Sequence, residues 1–285
     1  MMTRARLLAA AAAVAALFAT PVVPPAEAAG IGLTPHRAVY DLKLLHSRGR
    51  RSIEAVRGRI LYDFSGSVCA GYVLNFRQVS ELDTGEGKVA LSDLRATTWE
   101  EGGAKSFRFN SQNFIDQRAV DAVDGEAARN DDHVVVKLAK PKNKSFDLEP
   151  AMVFPTEHMR RIIEAALAGR NILELPVYDG SETGEKMYST MTVIGREIAP
   201  NQKVPTDAAA GQAALAGLKR WPVTISYFEK QDAKDERGGE QTPVYSISFE
   251  LYENGISRAL VLNYSDFSIS GEMTSLELKK EKACP

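Results

Sequence analysis

Few side chains in this sequence could do chemistry, and their spacing restricts them further. The four histidines are His36, His46, His133 and His158, and no two stand at the HxH or HExxH spacing that aims two ring nitrogens at one metal ion. Serine nucleophiles need an elbow of the GxSxG type or an SxxK pair, and neither occurs. The run Gly180–Lys186 has the glycines and lysine of a phosphate loop at the wrong spacing, and Met187 follows where a hydroxyl should reach magnesium. Asp179-Gly180-Ser181 is read instead as a turn, because Asp and Gly favour turn geometry. Two acidic pairs, Glu100-Glu101 and Asp131-Asp132, fall in predicted turns as solvated charge, and nothing selects two carboxylates about 5–10 Å apart across a sugar. Trp221-Pro222 and Tyr227-Phe228 form an aromatic cluster whose simplest role is core packing. These patterns predict no catalytic residue, no metal site and no cofactor, and they assign no ligand-binding residue.

The two cysteines, Cys69 and Cys284, are more informative. Arg4 and Arg6 precede a short apolar run from Leu7 to Phe18, and Ala26-Glu27-Ala28 supplies the small-x-small pattern of a cleavage site. That arrangement predicts a secretory signal peptide over residues 1–28, with a soluble chain starting at Ala29 in the periplasm. The apolar run falls short of the roughly 20 residues needed to span a bilayer, so no membrane span is expected. An even cysteine count in an oxidising compartment points to one disulfide, the alternative being two unrelated thiols.

The elements that would position these residues are mainly strands. With 44% apolar and 25% charged residues the chain has the composition of a folded protein. Its net charge of −2 becomes −3 once Arg4, Arg6 and Glu27 are removed, which gives no electrostatic footprint for nucleic acid. Alternation of period two runs through Ala38–Leu44, Tyr72–Phe76, Val134–Leu138, Tyr245–Leu251 and Leu260–Tyr264. Asn254-Gly255 and Asp124-Gly125 read as hairpin turns, so neighbouring strands are expected to run antiparallel. One helix is predicted between Pro155 and Gly169, with Thr156 as its N-cap and an apolar stripe of Met159, Ile162, Ile163, Ala166 and Leu167. The Ala- and Gly-rich stretch Asp207–Leu218 is left open between a frayed helix and a loop. No linker divides the remainder, and residues 29–285 are read as a single domain whose long sheet must curl.

A series of short motifs adds to this reading. They are Tyr40-Asp41-Leu42, Gly71-Tyr72, Phe154–His158, Tyr178–Ser181, Trp221-Pro222-Val223, Leu251–Gly255 and Tyr264–Phe267, with a last cysteine near the C-terminus. In number and order they resemble the cell envelope integrity protein EipB family of Gram-negative bacteria, over essentially the whole chain after the signal segment. The resemblance implies an all-β periplasmic protein built as one strongly curved, spiral, antiparallel, open-barrel-like sheet with one or two short helices. It also implies a disulfide that the placement of Cys69 and Cys284 fits, and a shape like that of lipoprotein carriers, which hold acyl chains against a concave sheet. The expected function is then non-catalytic support of envelope integrity, through an envelope lipid, lipoprotein or periplasmic protein held on the concave face. A ligand-free scaffold and an envelope hydrolase are the alternatives. An apolar cavity, a filled interior or a polar cleft would distinguish the three.

Overall fold

The computed structural model describes residues 31–281 and 284, apart from 49–52, 86, 88, 201, 203–204 and 231–240. The proposed signal peptide lies outside the described residues. Strands β1 (His36–Ser47), β2 (Ala55–Ser67), β3 (Gly71–Asp83), β4 (Val89–Glu100), β5 (Ser106–Ile115), β6 (Arg118–Arg129), β7 (Val134–Lys140) and β8 (Lys144–Leu148) form the first arm of the fold. Helix α1 (Pro155–Leu167) follows, and then β9 (Ile172–Val177), β10 (Tyr188–Ile194), β11 (Arg220–Glu229), β12 (Tyr245–Tyr252), β13 (Ser257–Asn263) and β14 (Phe267–Leu278). All fourteen strands join one antiparallel sheet in the order β8-β7-β6-β5-β4-β3-β2-β1-β14-β13-β12-β11-β10-β9. The architecture is the open, curved all-β sheet expected.

This order puts the first and last strands side by side in the middle, with His36 opposite Leu278. The two edges, β8 and β9, are consecutive in sequence, and α1 carries the chain between them. Val153, just before the helix, makes a short parallel bridge to Val177 at the end of β9. The sheet therefore stays open at one seam, which α1 and residues 152–154 occupy. The edge-strand problem is met by covering the edge rather than by closing a barrel.

The hairpin expected at Asn254-Gly255 forms between β12 and β13, where Gly255 has φ +88°. Asp124-Gly125 is no turn. Both residues lie inside β6, and the turn falls earlier, at Asp116-Gln117, whose φ values are 49° and 65°. Gly125 is small for a packing reason: a Cβ there would sit 2.6 Å from the Phe109 ring and 2.8 Å from Leu138. Asp207–Leu218 resolves into two 3-10 turns, Ala208–Gly211 and Ala213–Leu215, the first capped by the Asp207 side chain.

The N-cap of α1 lies two residues earlier than expected. Phe154 is the N-cap and makes no side-chain cap bond, and Pro155 takes the first helical position, where its missing N–H costs nothing. Thr156 thus lies inside the helix. The helix ends in a Schellman turn, with Gly169 at φ +70° and Arg170 N–H donating to the Ala165 carbonyl. Ile162, Ile163 and Ala166 of the predicted stripe are buried, whereas Leu167 at its end is exposed.

Two apolar clusters share the concave side. The larger gathers α1 with residues of β1, β2 and β11–β14, including Tyr40, Ile60, Trp221 and Met273. The smaller packs Phe107, Phe109, Val134 and Val136 against Met152, Phe154 and Tyr178 at the seam. The Phe107 ring stacks on Phe154 at 5.2 Å and on Phe109 at 5.4 Å.

Candidate functional site on the concave face

Between α1 and the concave sheet lies a cavity of about 230 Å³. Period-two alternation aims His36 of β1, Phe64 of β2, Leu74 of β3 and Ile225 of β11 at the same side, and α1 presents His158 and Met159 across from them. Tyr62, Tyr227 and Asp179 add polar groups to the wall.

Burial shifts the polar groups toward their uncharged forms. His36 donates from Nδ1 to the Thr34 carbonyl at 2.8 Å and stacks on Tyr62 at 5.4 Å between ring centroids. Burial pulls its pKa below the ordinary value. His158 is 3.4 Å from the Thr190 hydroxyl, and burial lowers its pKa to about 4, so it is neutral at pH 7. The Tyr62 phenol is pushed up to about 12 by burial, and the Tyr227 phenol is raised for the same reason. Tyr227 stacks on Tyr245 at 4.3 Å, with the edge of Tyr188 against both rings. The aromatic cluster is thus packing and cavity wall at once. Asp179 accepts the Ser181 N–H at 2.9 Å in the expected turn, and burial raises its pKa.

Next to this cavity, Glu100 departs from the expectation of solvated charge. It ends β4 almost fully buried, and its two oxygens accept the Thr156 and Glu157 backbone N–H groups, each at 2.7 Å. A strand carboxylate therefore caps a helix 56 residues away in sequence. Burial outweighs these bonds and raises its pKa to about 7. Arg129 reinforces the same corner by donating to the Met152 carbonyl at 2.8 Å and to Glu157 at 2.9 Å.

The other sequence-marked residues lie apart. His46 is exposed near the end of β1, and His133 stands beside Asn130 and Asp147 at the start of β7. Among the described residues no group of three His, Cys, Asp or Glu side chains is placed to hold a metal ion. No described helix is long and apolar enough to cross a membrane. Cys69 and Cys284 are joined, with Cα atoms 5.3 Å apart, which ties the tail after β14 to the β2–β3 turn. Sequence reasoning missed a buried ionic cluster in which Arg220 and Arg258 both reach Glu250, and Arg258 also donates to Asp207 at 2.8 Å.

The fold and cavity define a class: an open, curved antiparallel sheet with a helix laid into its concave side. Residues 27–280 match the EipB-like family model, and the chain belongs to that family. It is 38% identical over 251 residues to the cell envelope integrity protein EipB of Brucella abortus (strain 2308), covering 88% of this chain and 86% of that one. A crystal structure of a beta-barrel-like protein of a domain of unknown function from Brucella abortus superposes with a TM-score of 0.78 at 36% identity. That match covers 87% of this chain and 99% of the solved one. This kinship supports a role in envelope integrity, and none of these relatives is named as an enzyme.

Proposed function

We propose that this protein is an exported, non-catalytic periplasmic factor, one domain over residues 29–285, that supports the envelope by binding an uncharged, chain-like lipid segment on its concave face. The carrying observation is the cavity beside α1, with Phe64, Leu74, Met159 and Ile225 for apolar contact and a few polar tips that burial biases toward their uncharged forms. A buried, largely apolar lining favours a hydrocarbon and penalises an ion. The volume of about 230 Å³ equals roughly eight water volumes. It suits the end of one acyl chain, and a longer stretch requires α1 to shift. A second reading, a ligand-free scaffold acting through protein partners, is favoured by α1 itself, whose Ile162, Ile163, Ala165 and Ala166 pack into the larger apolar cluster of the sheet.

Native mass spectrometry of protein recovered from an envelope extract separates the two. Retained adducts of lipid mass that are lost in an Ile225→Trp variant support lipid binding. Bare protein from several extracts, with no uptake of a fluorescent fatty acid, overturns it and leaves the scaffold.

A further inference from the structure

The opposite face of the first arm carries a second hollow that the concave-face reading does not use. Its floor is a row of side chains in direct register across four strands: Asn75 on β3, Thr97 on β4, Asn110 on β5 and Asp124 on β6. One wall is the row two residues along each strand, where Trp99 stands opposite Arg108 and Arg108 opposite Glu126. The Arg108 guanidinium lies 5.1 Å from the Trp99 ring centroid. The other wall holds Arg77, Arg95 and Gln112, and Asp93 fixes both arginines, bonding Arg77 at 2.9 Å and Arg95 at 2.6 Å. The space over the floor and the Trp99 wall is about 620 Å³, and a further hollow of about 250 Å³ on the Arg95 side shares Thr97 and Asn110 with it. The trough therefore runs across the strands.

Its chemistry selects a ligand. The floor offers amide, hydroxyl and carboxylate groups, already aligned by bonds from Thr97 to Asn75 and from Asn110 to Asp124, both 3.1 Å. Such groups pair with several neutral hydroxyls or acetamides, each having donor or acceptor capacity left after those bonds. The walls set Arg77, Arg95, Arg108 and Lys137 against Asp93, Asp124 and Glu126, so the surplus is a single positive charge, too small a one-sign field to draw in a polyanion. Trp99, with Val73, Leu138 and Ala139, gives the channel an apolar side beside its polar floor. Neighbouring floor positions repeat at about 4.8 Å, the interstrand spacing, and four of them span roughly 14 Å. A pyranose unit in a linear glycan has a similar repeat. We infer that this trough binds a linear oligosaccharide of about three sugar units, laid across β3–β6.

Calorimetry and tryptophan fluorescence of the chain from Ala29 onward test this with N-acetylglucosamine trimer and hexamer as probes. The sequence has two tryptophans, and Trp221 is buried, so an emission change reports on Trp99. The expected result is saturable binding of both probes, weakened about tenfold by Asn110→Ala or Thr97→Ala, with unchanged unfolding midpoints. Trp99→Phe should abolish the emission change while the binding heat persists. Absence of binding heat with either probe overturns the inference, as does unaltered affinity in the Asn110→Ala, Thr97→Ala double variant. Neither outcome touches the lipid reading, which concerns the other face of the sheet.

Discussion

Glu100 makes stability depend on pH in a direction opposite to that of most native carboxylates. Its pKa rises from the ordinary 4.5 to about 7 in the folded protein. Between those values the folded state holds a proton that the unfolded chain releases, so this group's contribution falls as pH rises and is lost by about pH 7. The shift corresponds to about 3 kcal/mol. His158 works against it over nearly the same range: with a folded pKa of about 4 it favours unfolding below its ordinary 6.5, so its effect improves stability as pH rises. Wild-type stability alone can therefore look flat. Glu100→Gln separates the two, because it removes the carboxyl titration and leaves His158 in place. The substitution should cost most near pH 4.5, where it exchanges a neutral acid for an amide whose NH2 can face the helix N–H groups. The cost should shrink by about 3 kcal/mol by pH 7.5. Urea unfolding of both proteins at pH 4.5, 6 and 7.5 measures it. A wild-type advantage that grew with pH would mean that the two helix bonds outweigh burial, and the reasoning would fail.

Cys69→Ser and Cys284→Ser should each destabilise by about 2–4 kcal/mol in urea, and the double variant by no more, because all three lose the same bond. Gly180→Ala should cost at least about 1–3 kcal/mol in a thermal melt, since φ there is +66° and the new Cβ would lie 2.4 Å from the Phe109 ring. Arg258→Met leaves Asp207 and Glu250 in a buried corner with one fewer cation and should cost about 3–5 kcal/mol. An unchanged melting temperature would show that water reaches that cluster.

Alternation revealed strands wherever one face is buried and the other wet, as in Ala38–Leu44 and Val134–Leu138. It found β12 but not the two-sided burial of its end, where Phe249 through Tyr252 are all buried and Glu250 turns into an ion cluster instead of toward solvent. A register shift between Ser248 and Glu250 and the Asp207 segment make that end two-sided, and neither leaves a local mark in the sequence. Glu100 was illegible for a related reason: its partners are backbone N–H groups, which carry no residue signature. Asp124-Gly125 misled because a glycine required by a ring on the neighbouring strand looks the same as one required by a turn. His36 and His158 stand 122 positions apart in the sequence, and only the path of α1 through the seam places them on one cavity.

The pairing of β1 with β14 determines what the loss of either terminus would do. Each arm is a meander built from neighbours in sequence, and among the described strands the β1–β14 ladder is the one full pairing between them. It is closed at its end by Lys279 N–H donating to the Pro35 carbonyl at 2.9 Å, and supported by the Cys69–Cys284 disulfide and the contacts at the seam. A chain ending before Phe267 would not lose an outer strand. It would be split down the middle, leaving β1 and β13 as two long open edges, each a template for the wrong partner. The last dozen residues of the sheet to be synthesised are thus those that convert two adhesive halves into one protected surface.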